Sequence, residues 1–209
     1  MKRSILVLLG AAFALCIAPQ VRAADTGWYL GAGGGAGRIG FRIEDFTQGV
    51  NERQDDLKPA GKVFAGYMFN PNWGIETAYA SLGTFRYQYD AGTGGTASLD
   101  YKVRGVSFSG VGNAPLTDRF SLFARIGLFY SDVRNTVTDS NGTLAALLAT
   151  PGTESKKRKT SGTYAIGMQY EMVKHVDWRV EYEDFREVGN VSVGRAQASM
   201  LSTSIVFTF

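Results

Sequence analysis

Apolar residues recur at every second position along most of this chain. Val63, Ala65, Tyr67 and Phe69 share one face of 61–69; Phe120, Leu122, Ala124, Ile126, Leu128 and Tyr130 share one face of 120–130; Trp178, Val180 and Tyr182 do so in 177–185. A period of two is that of a β-strand, whose successive side chains point to opposite faces. The pattern predicts eight strands, at 28–37, 61–69, 73–83, 101–111, 120–130, 161–170, 177–185 and 197–209. Helical spacing occurs only in LAALLA, 144–149, which reads either as a short helix or as an exposed apolar contact.

The opposite faces of these strands are polar: Glu76, Ser107, Ser109, Ser121, Arg125, Gln169, Arg179, Glu181 and Glu183. A soluble sandwich could not bury such a set at its centre without a heavy desolvation cost. The connections alternate between short ones, near 70–72, 113–118 and 171–176, and long polar ones, near 38–60, 84–100, 131–160 and 186–196. Together these features predict an all-β, eight-stranded antiparallel transmembrane β-barrel with lipid-facing apolar residues and a polar interior. In a bilayer such a sheet must close, because every backbone group at membrane depth needs a partner. The last strand, with Leu201, Ile205, Phe207 and Phe209 alternating, is therefore expected to pair with the first. Both termini would then lie on the short-turn, periplasmic side.

The first residues, MKRSILVLLGAAFALCIAPQVRA, change the composition that matters. Lys2 and Arg3 precede an apolar run and Val21-Arg22-Ala23 ends it, which predicts a cleaved signal peptide at 1–23 and a barrel at 24–209. Cleavage takes the basic residues from 22 to 19, matching the 19 acidic ones, and removes the sole cysteine, Cys16. A lipid anchor on Cys16 is the competing reading, opposed by the bulky Leu15 before it. Beyond residue 23 no apolar run approaches the length of a transmembrane helix.

WYLGAGGG, GYMFNPNWGIETAYASLG, YKVRGVSFSGVGNAPLTDRFSLFARIG, DWRVEYEDF and the terminal Phe resemble the OmpA-type transmembrane barrel and opacity-protein-like surface antigens over essentially the whole mature chain. The resemblance implies a terminal signal read by the barrel-assembly machinery, matched by Phe207 and Phe209, with Ser204 where a glycine is usual. It also implies an interior charge network, here Glu76, Arg125, Gln169, Arg179 and Glu181. Val111 stands where a lysine, and Gln169 where a glutamate, would be expected. The peptidoglycan-binding domain of longer members is not expected in this chain.

No catalytic, cofactor-binding or metal-ligating set is predicted. GAGRIG, 35–40, with Asp55 beyond it fits a dinucleotide fingerprint only if a helix follows, and no helical pattern does. His175, the only histidine, lies in a predicted turn without a recognisable serine partner. Lys156, Lys157, Arg158 and Lys159 form the one dense basic run, read as a loop base meeting lipopolysaccharide phosphates, with a sulfated-glycan or nucleic-acid site as the alternative. The expected role is a non-enzymatic, monomeric surface barrel that supports envelope integrity and presents loops to host or matrix ligands. Expected partners are outer-membrane lipid and lipopolysaccharide, and no nucleic acid is expected. A narrow pore and a lipid-modifying enzyme are the alternatives.

Overall fold

The computed structural model describes residues 26–41, 53–54, 57–90, 96–139, 155–188 and 196–209. The expected signal peptide, Cys16, Asp55 and LAALLA lie outside them. The strands are β1 (Gly27–Phe41), β2 (Leu57–Asn70), β3 (Trp73–Asp90), β4 (Thr96–Pro115), β5 (Phe120–Asp139), β6 (Ser155–Val173), β7 (Val176–Val188) and β8 (Ala196–Thr208). The dipeptide Arg53–Gln54 adds a short pairing to Gln88 and Tyr87 of β3.

Chain neighbours pair antiparallel all the way round, and β1 pairs with β8 from Tyr29↔Thr208 to Phe41↔Ala196. The sheet is therefore a closed eight-stranded antiparallel barrel. Alternation sorts the two faces as membrane burial demands: Ile126 is 76% exposed, whereas its neighbour Arg125 is 3% exposed. Trp28, Phe69, Phe108, Leu128, Ile166 and Leu201 also face outward. Near the short-turn rim, Trp28 meets Tyr67 edge-on at 5.2 Å and Tyr67 meets Phe69 at 5.6 Å, an arrangement suited to a bilayer interface.

Local chemistry sets the short turns. Asn70 Oδ1 accepts hydrogen bonds from the backbone N–H of Asn72 and of Trp73, both at 2.9 Å, which is the self-turning habit of an asparagine side chain. Asn113 Nδ2 then donates to Pro71 O at 3.0 Å and fastens that turn to the end of β4. His175 occupies the Lys174–His175 turn at φ 69° and is exposed, a turn residue in the left-handed region.

One expectation changes. The strands outrun the apolar alternation, so the basic run 156–159 lies within β6 rather than in a loop. Alternation reports lipid contact, whereas backbone pairing continues into water, where side-chain pattern is unconstrained. GAGRIG, for which the sequence predicts no following helix, is strand, since β1 continues to Phe41.

The seam between first and last strands depends on small residues. A Cβ on Gly35 would lie 1.9 Å from the Leu201 carbonyl oxygen, whereas one on Gly34 would meet only Ala60 O, at 3.5 Å. Gly35→Val is therefore expected to block closure and Gly34→Ala to permit it. Heat-modifiable migration on a denaturing gel, with the folded band lost only for Gly35→Val, checks this.

Candidate functional site

Inward positions of six strands converge on one charged layer. Arg125 of β5 donates from Nη1 to Glu76 Oε1 at 2.5 Å, and from Nη2 to Glu181 Oε1 at 2.9 Å and Glu183 Oε2 at 3.0 Å. Arg179 Nη1 of β7 donates to the other oxygen of Glu76 at 2.7 Å, and the Tyr29 hydroxyl of β1 donates to that same oxygen at 2.9 Å. Lys62 of β2 pairs with Glu181 and lies 3.4 Å from Glu183, while Thr163 Oγ1 of β6 donates to Glu183 Oε1 at 3.2 Å. Three cations thus face three carboxylates, and the ion pairs span the lumen. The guanidinium suits this position because its rigid fork serves several oxygens at once.

Toward the short-turn rim the polar chain continues. Arg179 Nε donates to Gln169 Oε1 at 3.0 Å, and Gln169 Nε2 donates to Asp177 Oδ2 at 2.8 Å. The neutral amide relays between a cation and an acid, so a glutamate at 169 is not needed. A cavity of about 190 Å³ opens there, bordered by Ser121, Gln169, Asp177 and Arg179. The Arg179 guanidinium is also stacked near the rings of Phe123 (4.6 Å) and Phe64 (4.7 Å), a favourable setting for a desolvated cation.

The charged layer is bordered by apolar side chains. Tyr29, Phe64, Ala78 and Val206 pack together on one side. Toward the long-connection rim, Leu82, Phe85, Val103, Phe129, Val133, Phe185 and Met200 form a fully buried plug, with Phe129 and Phe185 ring centroids 4.5 Å apart. A β-bulge between Ser81 and Gly83, where Gly83 has φ 96°, lets Leu82 and Phe85 both turn inward. Gly105 leaves room for the Phe129 ring, 2.6 Å from where a Cβ would sit.

The structure brings Glu76, Arg125, Gln169, Arg179 and Glu181 together. It adds Lys62, Tyr29 and Thr163, which the sequence reading did not select. Alternation held the signal for Lys62, because Val63, Ala65, Tyr67 and Phe69 face outward and 62 must then face inward. Val111, opposite Arg125, is buried, and Lys62 supplies a cation from another strand. Ser204 is accommodated because its partner across the seam is Gly33. Phe207 and Phe209 are exposed at the short-turn rim, and the Phe209 backbone N–H donates to Trp28 O at 3.0 Å. Arg158 is exposed and Lys159 half-buried, while nothing is described of the Lys156 and Lys157 side chains. Among the described residues, no group of histidine, cysteine, aspartate or glutamate has the arrangement of a metal site.

A closed barrel with an apolar belt, an aromatic rim and a charged lumen defines an outer-membrane β-barrel protein. Residues 23–209 match the OmpA-like transmembrane domain, and the chain belongs to that family. It is 25% identical over its whole length to outer membrane protein A of Salmonella typhi and 24% identical to that of Escherichia coli O157:H7, covering 56% and 55% of those proteins. The chain thus spans about half the length of the curated relatives it matches. Among solved structures, Neisserial surface protein A superimposes with a TM-score of 0.60 at 14% identity, covering 89% of this chain and 99% of that one. Ail of Yersinia pestis, in complex with the heparin analogue sucrose octasulfate, gives 0.51 at 15% identity over 88% of this chain and 100% of that one. OprG of Pseudomonas aeruginosa gives 0.50 at 12% identity over 89% and 99%. These likenesses concern the fold.

Proposed function

We propose that this chain is a non-enzymatic surface barrel, its short turns and both ends of the mature chain in the periplasm, that supports envelope integrity and presents its long connections to host or matrix molecules. The observation that carries the reading is the contrast between a filled lumen and unequal rims. Side chains occupy the interior of an eight-stranded barrel, so the surfaces are left for function. The connections are Pro71–Asn72, Leu116–Arg119 and Lys174–His175 at one rim, against 42–56, 91–95, 140–154 and 189–195 at the other.

The non-enzymatic part rests on chemistry. Glu76, Glu181 and Glu183 are each engaged by cations, and His175 is an exposed turn residue. Phe207 and Phe209 serve, in this reading, as the mark taken up by the barrel-assembly machinery, and the barrel acts as a monomer. Ail has been solved with a sulfated sugar analogue, which makes sulfated matrix glycans a reasonable class to test.

Replacing 140–154 by a short turn, at matched surface abundance, is expected to lower adhesion of expressing bacteria to host cells and matrix. Unchanged adhesion would remove that connection from the contact surface and leave envelope integrity as the role.

A further inference from the structure

We propose that the cavity at the short-turn rim binds a free α-amino acid, a small zwitterion with an apolar side chain. Strand register builds its polar wall. Ser121 of β5, Gln169 of β6 and Arg179 of β7 are successive partners in one cross-strand row, and Glu171 and Asp177 form the next row toward the rim. Ser121, Asp177 and Arg179 are buried. Arg179 uses Nε on Gln169 and Nη1 on Glu76, so Nη2 remains as a donor. Asp177 accepts from Gln169, and a carboxylate has room for further donors. Val111, Phe123 and Met68 supply an apolar lining.

Charge selects the ligand. A lone anion at Arg179 would lie close to Asp177 and Glu171, and a lone cation at Asp177 would lie close to Arg179; like charges in a desolvated site repel. A molecule that carries both charges close together satisfies both rows at once. In an α-amino acid a single carbon separates carboxylate from ammonium, and one amide, that of Gln169, already spans the gap between the guanidinium and Asp177. The ligand's carboxylate goes to Arg179 Nη2 and the Ser121 hydroxyl, its ammonium to Asp177, and its side chain to Val111, Phe123 and Met68. The volume of about 190 Å³ exceeds the roughly 150 Å³ of an apolar cavity that admits benzene, which suits a side chain the size of valine or leucine.

The two departures from the OmpA-type pattern both border this cavity. Val111 stands where a lysine would occupy the space. Gln169 stands where a glutamate could not donate to Asp177. The site is independent of which rim faces outward.

The test titrates the full mature barrel in nanodiscs with three probes, and calorimetry reads their affinities. L-leucine carries both charges; N-acetylleucine lacks the ammonium and mimics the last residue of a peptide; leucinamide lacks the carboxylate and mimics the first. Leucine is expected to bind, and each single-charge probe to bind at least about tenfold more weakly. Asp177→Asn is expected to weaken leucine by a similar factor without weakening N-acetylleucine. Val111→Lys with Gln169→Glu, a charge-neutral exchange that fills the cavity, is expected to abolish binding while keeping heat-modifiable migration. Lys102→Gln, exposed near the opposite rim, is expected to leave binding unchanged. Absence of leucine binding at about 10 mM, or equal binding of either single-charge probe, would overturn the proposal. So would unaltered leucine affinity in Asp177→Asn.

Discussion

Arg125→Ala is expected to destabilise the barrel by about 3–5 kcal/mol, read from denaturant unfolding in lipid micelles. The size follows from what the substitution leaves behind. Arg125 donates to Glu76, Glu181 and Glu183, and all three carboxylates are almost fully buried. Without it, three negative groups face only Lys62 and Arg179. Arg125→Lys retains the charge but not the fork that reaches three carboxylates, so it is expected to fall between wild type and alanine. Removing Glu76 as well restores charge balance, and the double variant should therefore cost less than the two single losses added together. An Arg125→Ala barrel as stable as wild type would mean that the charged layer does not hold the strands together.

The second large effect is expected at the plug. Phe129 and Phe185 are wholly buried against each other and against Leu82, Phe85 and Met200, so either Phe→Ala change should cost about 3–5 kcal/mol. The functional consequence separates two barriers to ions. Glu76→Ala disturbs the charged layer but leaves the apolar plug, and an apolar gap of this kind stays dry. It is therefore expected to show no steady conductance in planar bilayers. Phe129→Ser with Phe185→Ser, once shown to be folded by its heat-modifiable migration, makes that level polar and is expected to add steady single-channel events. Conductance from Glu76→Ala alone would place the barrier in the charges and remove this role from the plug.

Both predictions depend on features that were unequally legible in the sequence. The inward charges follow from alternation alone: once Phe120 to Tyr130 face lipid at even numbers, Arg125 must face the lumen. Lys62 is equally readable by that rule, whereas the resemblance implies the lysine at position 111, where this chain has valine. The plug was readable only in part: Phe129 and Val133 share the inward parity of Arg125, and Phe185 that of Glu181 and Glu183. Leu82 and Phe85 are three apart, which breaks the period of two, and only the bulge at Gly83 brings both inward.

The sequence by itself determined that this chain is a lipid-exposed antiparallel barrel, because a period of two in hydrophobicity is imposed by the pleat wherever one face meets hydrocarbon and the other does not. It also determined which side of each strand is polar. Tertiary structure decided which charge meets which and where the lumen is sealed. Those depend on the stagger between strands and on one extra residue in a ladder, and a shift of register changes every cross-strand neighbour while the alternation along each strand stays the same.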